Sequence, residues 1–267
     1  MTSTLLFLHA HPDDESILTG ATMAKAHALG HRVVVAFASR GDAGETAQDL
    51  GGQTLGQRRE AEARQASEAL GADRVLFLEY DDSGMADTET TRNPKAFCNA
   101  DLEEVTARLA IALVNENIDI VVGYDRNGTY GHPDHLQIHH AAHHAAPALK
   151  ASWVLDATYS REYLASLDDS GYGDIDANFA SAHAELTHFV EGPELFERKL
   201  EALKFHTSQT PDDWNPDDPS QIENFAKQFG TEWFIATAIV DDPLDLEPLL
   251  TPKASWPGSI PDEKERA

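Results

Sequence analysis

The sequence predicts an α/β fold, built on a mainly parallel sheet with helices on both faces. Three observations predict it. Short apolar, β-branched runs alternate with helical segments along residues 1–150. Those runs are apolar throughout rather than alternating, as in strands buried on both faces. Clusters of His and Asp follow the first and fourth runs, where a parallel sheet exposes the carboxyl ends of its strands.

Residues 4–9, TLLFLH, read as the first strand. Residues 14–29 show helical spacing at Ile17, Met23, Ala24 and Leu29, with Gly30 as a stop signal. RVVVAFA at 32–38 is a second strand, and SRGDAGET a turn-rich loop. Residues 55–70 form a polar, alanine-rich helix ending at Leu70-Gly71. RVLFLEY at 74–80 is a third strand, 101–116 a helix and IDIVVGY at 118–124 a fourth strand. Strand and helix thus alternate through four strands, which gives right-handed crossovers and a Rossmann-like sheet.

After residue 150 the pattern is less regular. SWVLDATYS and AELTHFVEG read as strands, 193–206 as a helix with Pro193 in its first turn, and EWFIATAIV as a late strand. TPDDWNPDDPSQ at 210–221 is too polar for core and reads as a solvated loop. No linker or repeat divides the chain. The expectation is one domain over 1–250 and a loose, Pro- and charge-rich tail over 251–267.

Of the 267 residues, 41% are hydrophobic and 25% charged, enough for one sizeable core. The formal net charge of -26 speaks against nucleic acid and against an anionic membrane surface, both of which need clustered Lys and Arg. The single cysteine, Cys98, leaves no intramolecular disulfide and no thiolate zinc site. The N-terminal TLLFLHAH is too short for a signal sequence, and no run reaches the ~20 apolar residues of a membrane span. A cytoplasmic address is expected. The oligomeric state is open, a homo-oligomer included.

The chemistry concentrates in two motifs. HAHPDDES at 9–16 places His11 and Asp14 three apart across a strand-to-helix turn, so that an imidazole and a carboxylate can face one centre. Asp13 lies between them, on the side where a water would sit. On its own, the pair Asp13-Asp14 also fits a helix cap. TYGHPDHLQ at 129–137, after the fourth strand, repeats the pattern with His132 and His135 around a proline. Adjacent strand ends can bring both motifs to one metal. His11, Asp14 and His135 then form a two-His, one-carboxylate set with an open corner, the form of a catalytic zinc site.

AHPDDE and YGHPDH together resemble the LmbE-like, or PIG-L, family of zinc-dependent N-deacetylases. SRGDAGE at 39–45 resembles that family's Thr-x-Gly-Glu loop, with Ser39 and Asp42 in place of Thr and Glu. Arg59 and Glu62 are similar to its Arg-x-x-Glu helix. YDDSGM at 80–85 and KLEALKFHTSQ at 199–209 resemble the branch acting in mycothiol metabolism. The resemblance spans residues 4–209. It implies an LmbE-like fold and zinc as cofactor, held by His11, Asp14 and His135; a site of this type also admits Fe2+. It implies Asp13 as general base, His132 as oxyanion stabiliser and acid, Asp134 as the carboxylate orienting His132, and Tyr130 as an aid at the tetrahedral stage. Arg59 and Asp82 match residues that hold sugar hydroxyls.

The implied activity is removal of an acetyl group from a small acetamido-sugar, an N-acetylglucosaminyl compound. The alternative within the family is amidase action on mycothiol S-conjugates. A zinc-dependent sugar-binding protein without catalysis is the reading of another class, and the presence of Asp13 and His132 speaks against it. A metallophosphoesterase would need a bridging carboxylate set for two metals, which the sequence lacks.

Other histidines have plainer readings. His9 is expected to pack in the sheet core with a satisfied hydrogen bond. In LQIHHAAHHAA the pairs His139/His143 and His140/His144 have metal-binding spacing but no evident third ligand, so an exposed helix face is the simpler account. His206 is expected at the rim of the site or at a helix C-terminus.

Overall fold

The apolar runs become strands in the computed structural model, which describes residues 2–46, 48–167, 176–211, 213–258 and 260. The strands are β1 Thr4–His9, β2 Arg32–Ser39, β3 Arg74–Tyr80, β4 Ile120–Tyr124, β5 Trp153–Thr158, β6 His188–Val190, β7 Glu232–Ala238 and β8 Thr251–Pro252. They form one sheet in the order β3-β2-β1-β4-β5-β7-β6-β8. The first five are mutually parallel, and β7 joins β5 antiparallel. The predicted parallel sheet is therefore present, with a mixed extension built from the less regular C-terminal part.

The helices are α1 Asp14–Leu18, α2 Gly20–Ala28, α3 Leu55–Ala69, α4 Leu102–Ala112, the kinked turn α5 Gly128–Gly131, α6 Pro133–Leu149, α7 Arg161–Ser166, α8 Pro193–Leu203 and α9 Pro219–Phe229. Strand side chains alternate between two cores. Leu6, Leu8, Val34, Ala36 and Val121 face a core shared with Val105 and Leu109 of α4 and Ile138 of α6. Leu5, Phe7, Val33, Val35 and Val122 face the other, shared with Met23 of α2, Ala63 of α3 and Ala202 of α8. Burial on both sides explains why these strands read as continuous apolar runs. Each fully buried Leu, Val or Phe contributes about 1.5–3 kcal/mol.

The single helix expected over 14–29 is two. The break is at Thr19, whose φ of -138° is not helical. A buried carboxylate explains it: Glu232 of β7 accepts from the backbone N–H groups of Ala21 and Thr22 at 2.8 Å each, and pairs with Lys199 of α8 at 3.0 Å. α2 thus starts afresh on a carboxylate cap.

Two further expectations are corrected. The polar loop 210–221 contains the start of α9, because Asp218 caps the Ser220 N–H at 2.8 Å and Pro219 takes the first helical position. α9 then turns Phe225 against Phe196 and Trp214. The loose tail does not begin at 251: Thr251 and Pro252 pair with β6, and Trp256 packs edge-on against Trp233 at 4.9 Å. Residues 261–267 lie outside the described residues. Among the described residues, no helix is long and apolar enough to cross a membrane.

Candidate active site

β1 and β4 are neighbours in the sheet, but the chain leaves β1 towards β2 on one side and β4 towards β5 on the other. Ligands settle at such a switch point because the diverging connections leave a crevice beyond the strand ends. Both motifs occupy it.

The turn after β1 is shaped by its own carboxylates. Asp14 Oδ2 accepts from the His11 backbone N–H at 2.9 Å, and lies 3.7 Å from His11 Nδ1 and 3.4 Å from His135 Nε2. Asp13 has a φ of 108°, a strained conformation for a residue with a side chain. Its carbonyl accepts from Ser16 and Ile17, but its carboxylate caps nothing. The capping alternative therefore does not account for either aspartate.

The second motif opens α6. His132 is its N-cap, with Nδ1 accepting from the Asp134 N–H at 3.2 Å, and Pro133 fills the first helical position. One ligand nitrogen from each of His11, His132 and His135 lies within 4.8 Å of the other two. Tyr130 places its hydroxyl 3.3 Å from His135 Nε2 while its ring stays partly exposed. His11, Asp14, Tyr130, His132 and His135 thus meet at one place, with Asp13 in the turn next to Asp14.

Three expected partnerships come out differently. The Asp134 carboxylate does not hydrogen-bond His132. It accepts from the backbone N–H groups of Ser83 at 2.9 Å and Cys98 at 2.7 Å, and its Oδ2 lies 3.1 Å from His11 Nε2. His132 is instead engaged by the start of its own helix. Asp82, expected at sugar hydroxyls, is buried behind the same imidazole, 3.4 Å from His11 Nε2, and accepts from the Gly84 and Ala43 N–H groups. Arg59 is 4% exposed and donates to the carbonyls of Pro12 and Gly41 at 2.6 and 2.8 Å, with Nη2 3.4 Å from Asp13 Oδ2. These bonds fasten the strained turn.

The charges are unbalanced. Asp13, Asp14, Asp82 and Asp134 crowd the site, with Arg59 close to Asp13. Burial opposes charge on His11, yet Asp134, Asp82 and Asp14 push its imidazole up to about 10. Asp14 is held well below the carboxylate range, burial being outweighed by His135 and His11. Burial raises Asp13 to about 6 against the pull of Arg59. Burial and the neighbouring His11 and His135 lower His132 to about 4. Burial, then Asp14 and Asp13, raise the Tyr130 phenol.

Further residues surround the site. His9 fulfils its core reading: it is fully buried, with Nδ1 at 3.0 Å from the Tyr124 hydroxyl and Nε2 at 3.1 Å from Thr19 Oγ1, and burial lowers it to about 4. Tyr124 sets its ring 4.6 Å from that of His135, tilted by 41°. His206 is buried against Glu15, at 2.6 Å, and lines a cleft of about 240 Å³ with Asp13, Ile17, Leu203, Trp214 and Phe225. Only the isolated tryptophan in the Pro/Asp stretch could have signalled that wall.

Known proteins resemble this chain in sequence and in fold. The family model described as PIG-L, GlcNAc-PI de-N-acetylase, matches residues 6–146. A 1D-myo-inositol 2-acetamido-2-deoxy-alpha-D-glucopyranoside deacetylase of Geodermatophilus obscurus is 36% identical over 247 residues, covering 77% of this chain and 82% of that protein. A protein of the same name from Acidothermus cellulolyticus is 34% identical over 261 residues, covering 88% and 89%. Among solved structures, the N,N'-diacetylchitobiose deacetylase of Pyrococcus horikoshii shares the fold, with a TM-score of 0.61, 22% identity, and coverage of 88% of this chain and 84% of that one. With its two histidine motifs inside the matched region and brought together by the fold, the chain belongs to the PIG-L, GlcNAc-PI de-N-acetylase family.

Proposed function

We propose that the chain is a metal-dependent N-deacetylase of an N-acetylglucosaminyl inositol, with zinc held by His11, Asp14 and His135. The observation that carries the reading is Asp14 Oδ2 lying 3.7 Å from His11 Nδ1 and 3.4 Å from His135 Nε2, beside an uncapped Asp13 and the N-cap His132. The names of the Geodermatophilus and Acidothermus relatives supply the substrate class. The residues fit a divalent cation: imidazoles and a carboxylate are its donors, and buried carboxylates outnumber the cationic side chains around them. A proton on His11 Nε2, donated to Asp134, leaves Nδ1 to the side of Asp14. Ferrous iron satisfies the same donors.

When bound, such a cation lowers the pKa of a water and polarises an acyl oxygen. The remaining work falls to the chain. Asp13 takes the proton of the attacking water, and its place at the mouth of the Trp214 cleft puts it next to bound substrate. His132 accepts at Nδ1 from the Asp134 N–H, so its proton resides on Nε2, a donor for the developing oxyanion. Tyr130 supplies a second O–H donor from the exposed side. His132 keeps its Nε2 proton in this scheme, so Asp13 returns the proton it took to the leaving amine. Arg59 and Asp82 act as positioning residues, the one holding the Asp13 turn and the other holding His11.

The test is an assay of the zinc-loaded protein for acetate and free amine. The panel is an N-acetylglucosaminyl inositol, a mycothiol S-conjugate and a phosphoester. Acetate from the first supports the reading. Cleavage of the conjugate alone would move the assignment to an amidase, and phosphate release or no product would overturn it. We also take residues 1–258 as one domain, since β7 and β8 complete the sheet that β1 begins.

A further inference from the structure

The face of α6 beyond the active site carries a second cluster of metal-ligating groups. In the sequence, His139 and His143 stood four apart without a third ligand. The fold supplies one from another element. Asp156 of β5 places Oδ1 and Oδ2 2.9 and 3.0 Å from His143 Nε2, and Oδ1 3.4 Å from His139 Nδ1. One ligand atom from each of the three residues lies within 4.8 Å of the other two. The second histidine pair does not join: His144 turns to α4, with Nδ1 2.8 Å from Thr106 Oγ1, and His140 is exposed.

We propose that His139, His143 and Asp156 form a second divalent-cation site, suited to zinc. Two imidazoles and a carboxylate are borderline donors of the kind zinc prefers, and three protein ligands leave one corner to solvent. Asp156 is buried and fixed on a strand, while both histidines are partly exposed, so an ion enters from solvent onto an anchored carboxylate. The Tyr124 carbonyl accepts from His139 Nδ1 at 2.9 Å, the kind of backbone contact that orients ligating imidazoles, and this leaves Nε2 as the nitrogen His139 offers an ion. The ion takes the place between His143 Nε2 and the two oxygens of Asp156 that a hydrogen bond now bridges.

The site is distinct from the first. Tyr124 stands between them, its ring against His135 and its carbonyl against His139. An ion bound by α6 and β5 ties the helix that carries His132 and His135 to the strand beside β4. Its expected effect is to stiffen the base on which the active-site histidines stand. The inference holds whether or not the first site binds zinc.

Equilibrium dialysis of the full chain against zinc, followed by metal analysis, tests it. The unaltered protein should retain one zinc per chain more than His143→Ala, and Asp156→Asn should show the same loss. His143→Ala should keep its fold by circular dichroism and its deacetylase activity. His135→Ala should lose a different equivalent, and the double variant should retain none. If His135→Ala loses none while His143→Ala still loses one, the active-site reading fails and this one stands. Zinc should raise the Tm of the unaltered protein more than that of His143→Gln, a variant that keeps side-chain volume. Equal zinc content in the unaltered protein, His143→Ala and His143→Gln overturns the proposal.

Discussion

The Asp134 carboxylate meets the His11 imidazole at 3.1 Å, joining the loops that leave β1 and β4. Asp134 cannot swing away, because the Ser83 and Cys98 N–H groups both donate to it. It therefore fixes the plane and the tautomer of His11.

Asp134→Asn tests that role. An amide can keep one oxygen for Ser83 and His11 only by turning its N–H₂ against the Cys98 N–H, and it removes the negative charge that His11 faces. Zinc affinity should fall about 10–100-fold, as is typical when the carboxylate behind a ligating histidine is removed. Competition with a chromophoric chelator measures this. Unchanged affinity would mean that His11 needs no such partner.

Asp13→Ala separates base from ligand. Asp13 contributes no capping bond, and Asp14, not Asp13, lies within 3.4 Å of a ligand histidine. Zinc content should be retained while kcat falls about 10²–10⁴-fold, the usual worth of a positioned base. Loss of the metal with Asp13→Ala would show that the two aspartates have exchanged roles.

The paired motifs were legible in the sequence because strand ends and ligand spacing are local properties. His11, Asp14 and His135 needed only the assumption that β1 and β4 are adjacent. What was not legible depends on contacts between distant segments. Asp82 and Asp134 converge on His11 only once the loop after β3 closes over α6. Asp156 lies on a strand where the sequence shows only a polar residue in an apolar run, and its direction towards His143 depends on how α6 packs across β5. The break at Thr19 was hidden because Glu232, which causes it, is more than 200 residues away. The hydrogen bonds of Arg59 to the Pro12 and Gly41 carbonyls were equally hidden, because they join a helix to the turn after β1 and to the loop after β2.

Gly41→Ala probes the support under the Asp13 turn. Gly41 has a φ of +70°, and a Cβ there would come within 2.4 Å of the Arg59 guanidinium. Strain at positive φ and displacement of a buried cation act together. The expected cost is about 1–3 kcal/mol of stability. Activity should fall too, because the guanidinium holds the Pro12 carbonyl. Chemical denaturation alongside steady-state assays reads both. A stable variant of full activity would show that the Arg59 clamp is dispensable.

Trp214→Ala addresses the cleft beside Asp13. Trp214 and Phe225 form apolar walls that touch no reacting group in the scheme above. Removing the indole should raise KM several-fold for the N-acetylglucosaminyl substrate and leave kcat near its original value, the signature of lost uniform binding. A fall in kcat at constant KM would instead place the indole at the reacting centre.

Glu62→Gln tests how the 207–209 segment is held, and its effect should depend on pH. Glu62 accepts from Thr207 Oγ1, the Ser208 N–H, Ser208 Oγ and Arg58 Nε at 2.6–3.1 Å. Burial raises its pKa, but these donors, Ser208 and Arg58 foremost, outweigh burial and hold it below the ordinary glutamate value. A depressed pKa in the folded state means that the unfolded chain binds the proton more readily. The stabilisation is therefore present above the unfolded value of about 4.3 and is lost as pH falls through the folded one. Glu62→Gln should cost about 1–3 kcal/mol at neutral pH, where an amide cannot accept all four bonds. Denaturation midpoints of the two proteins should converge as the solution is acidified below pH ~4. A gap that stays constant from neutral to acid would mean that the charge of Glu62 contributes nothing, and that shape alone joins α3 to the segment that follows α8.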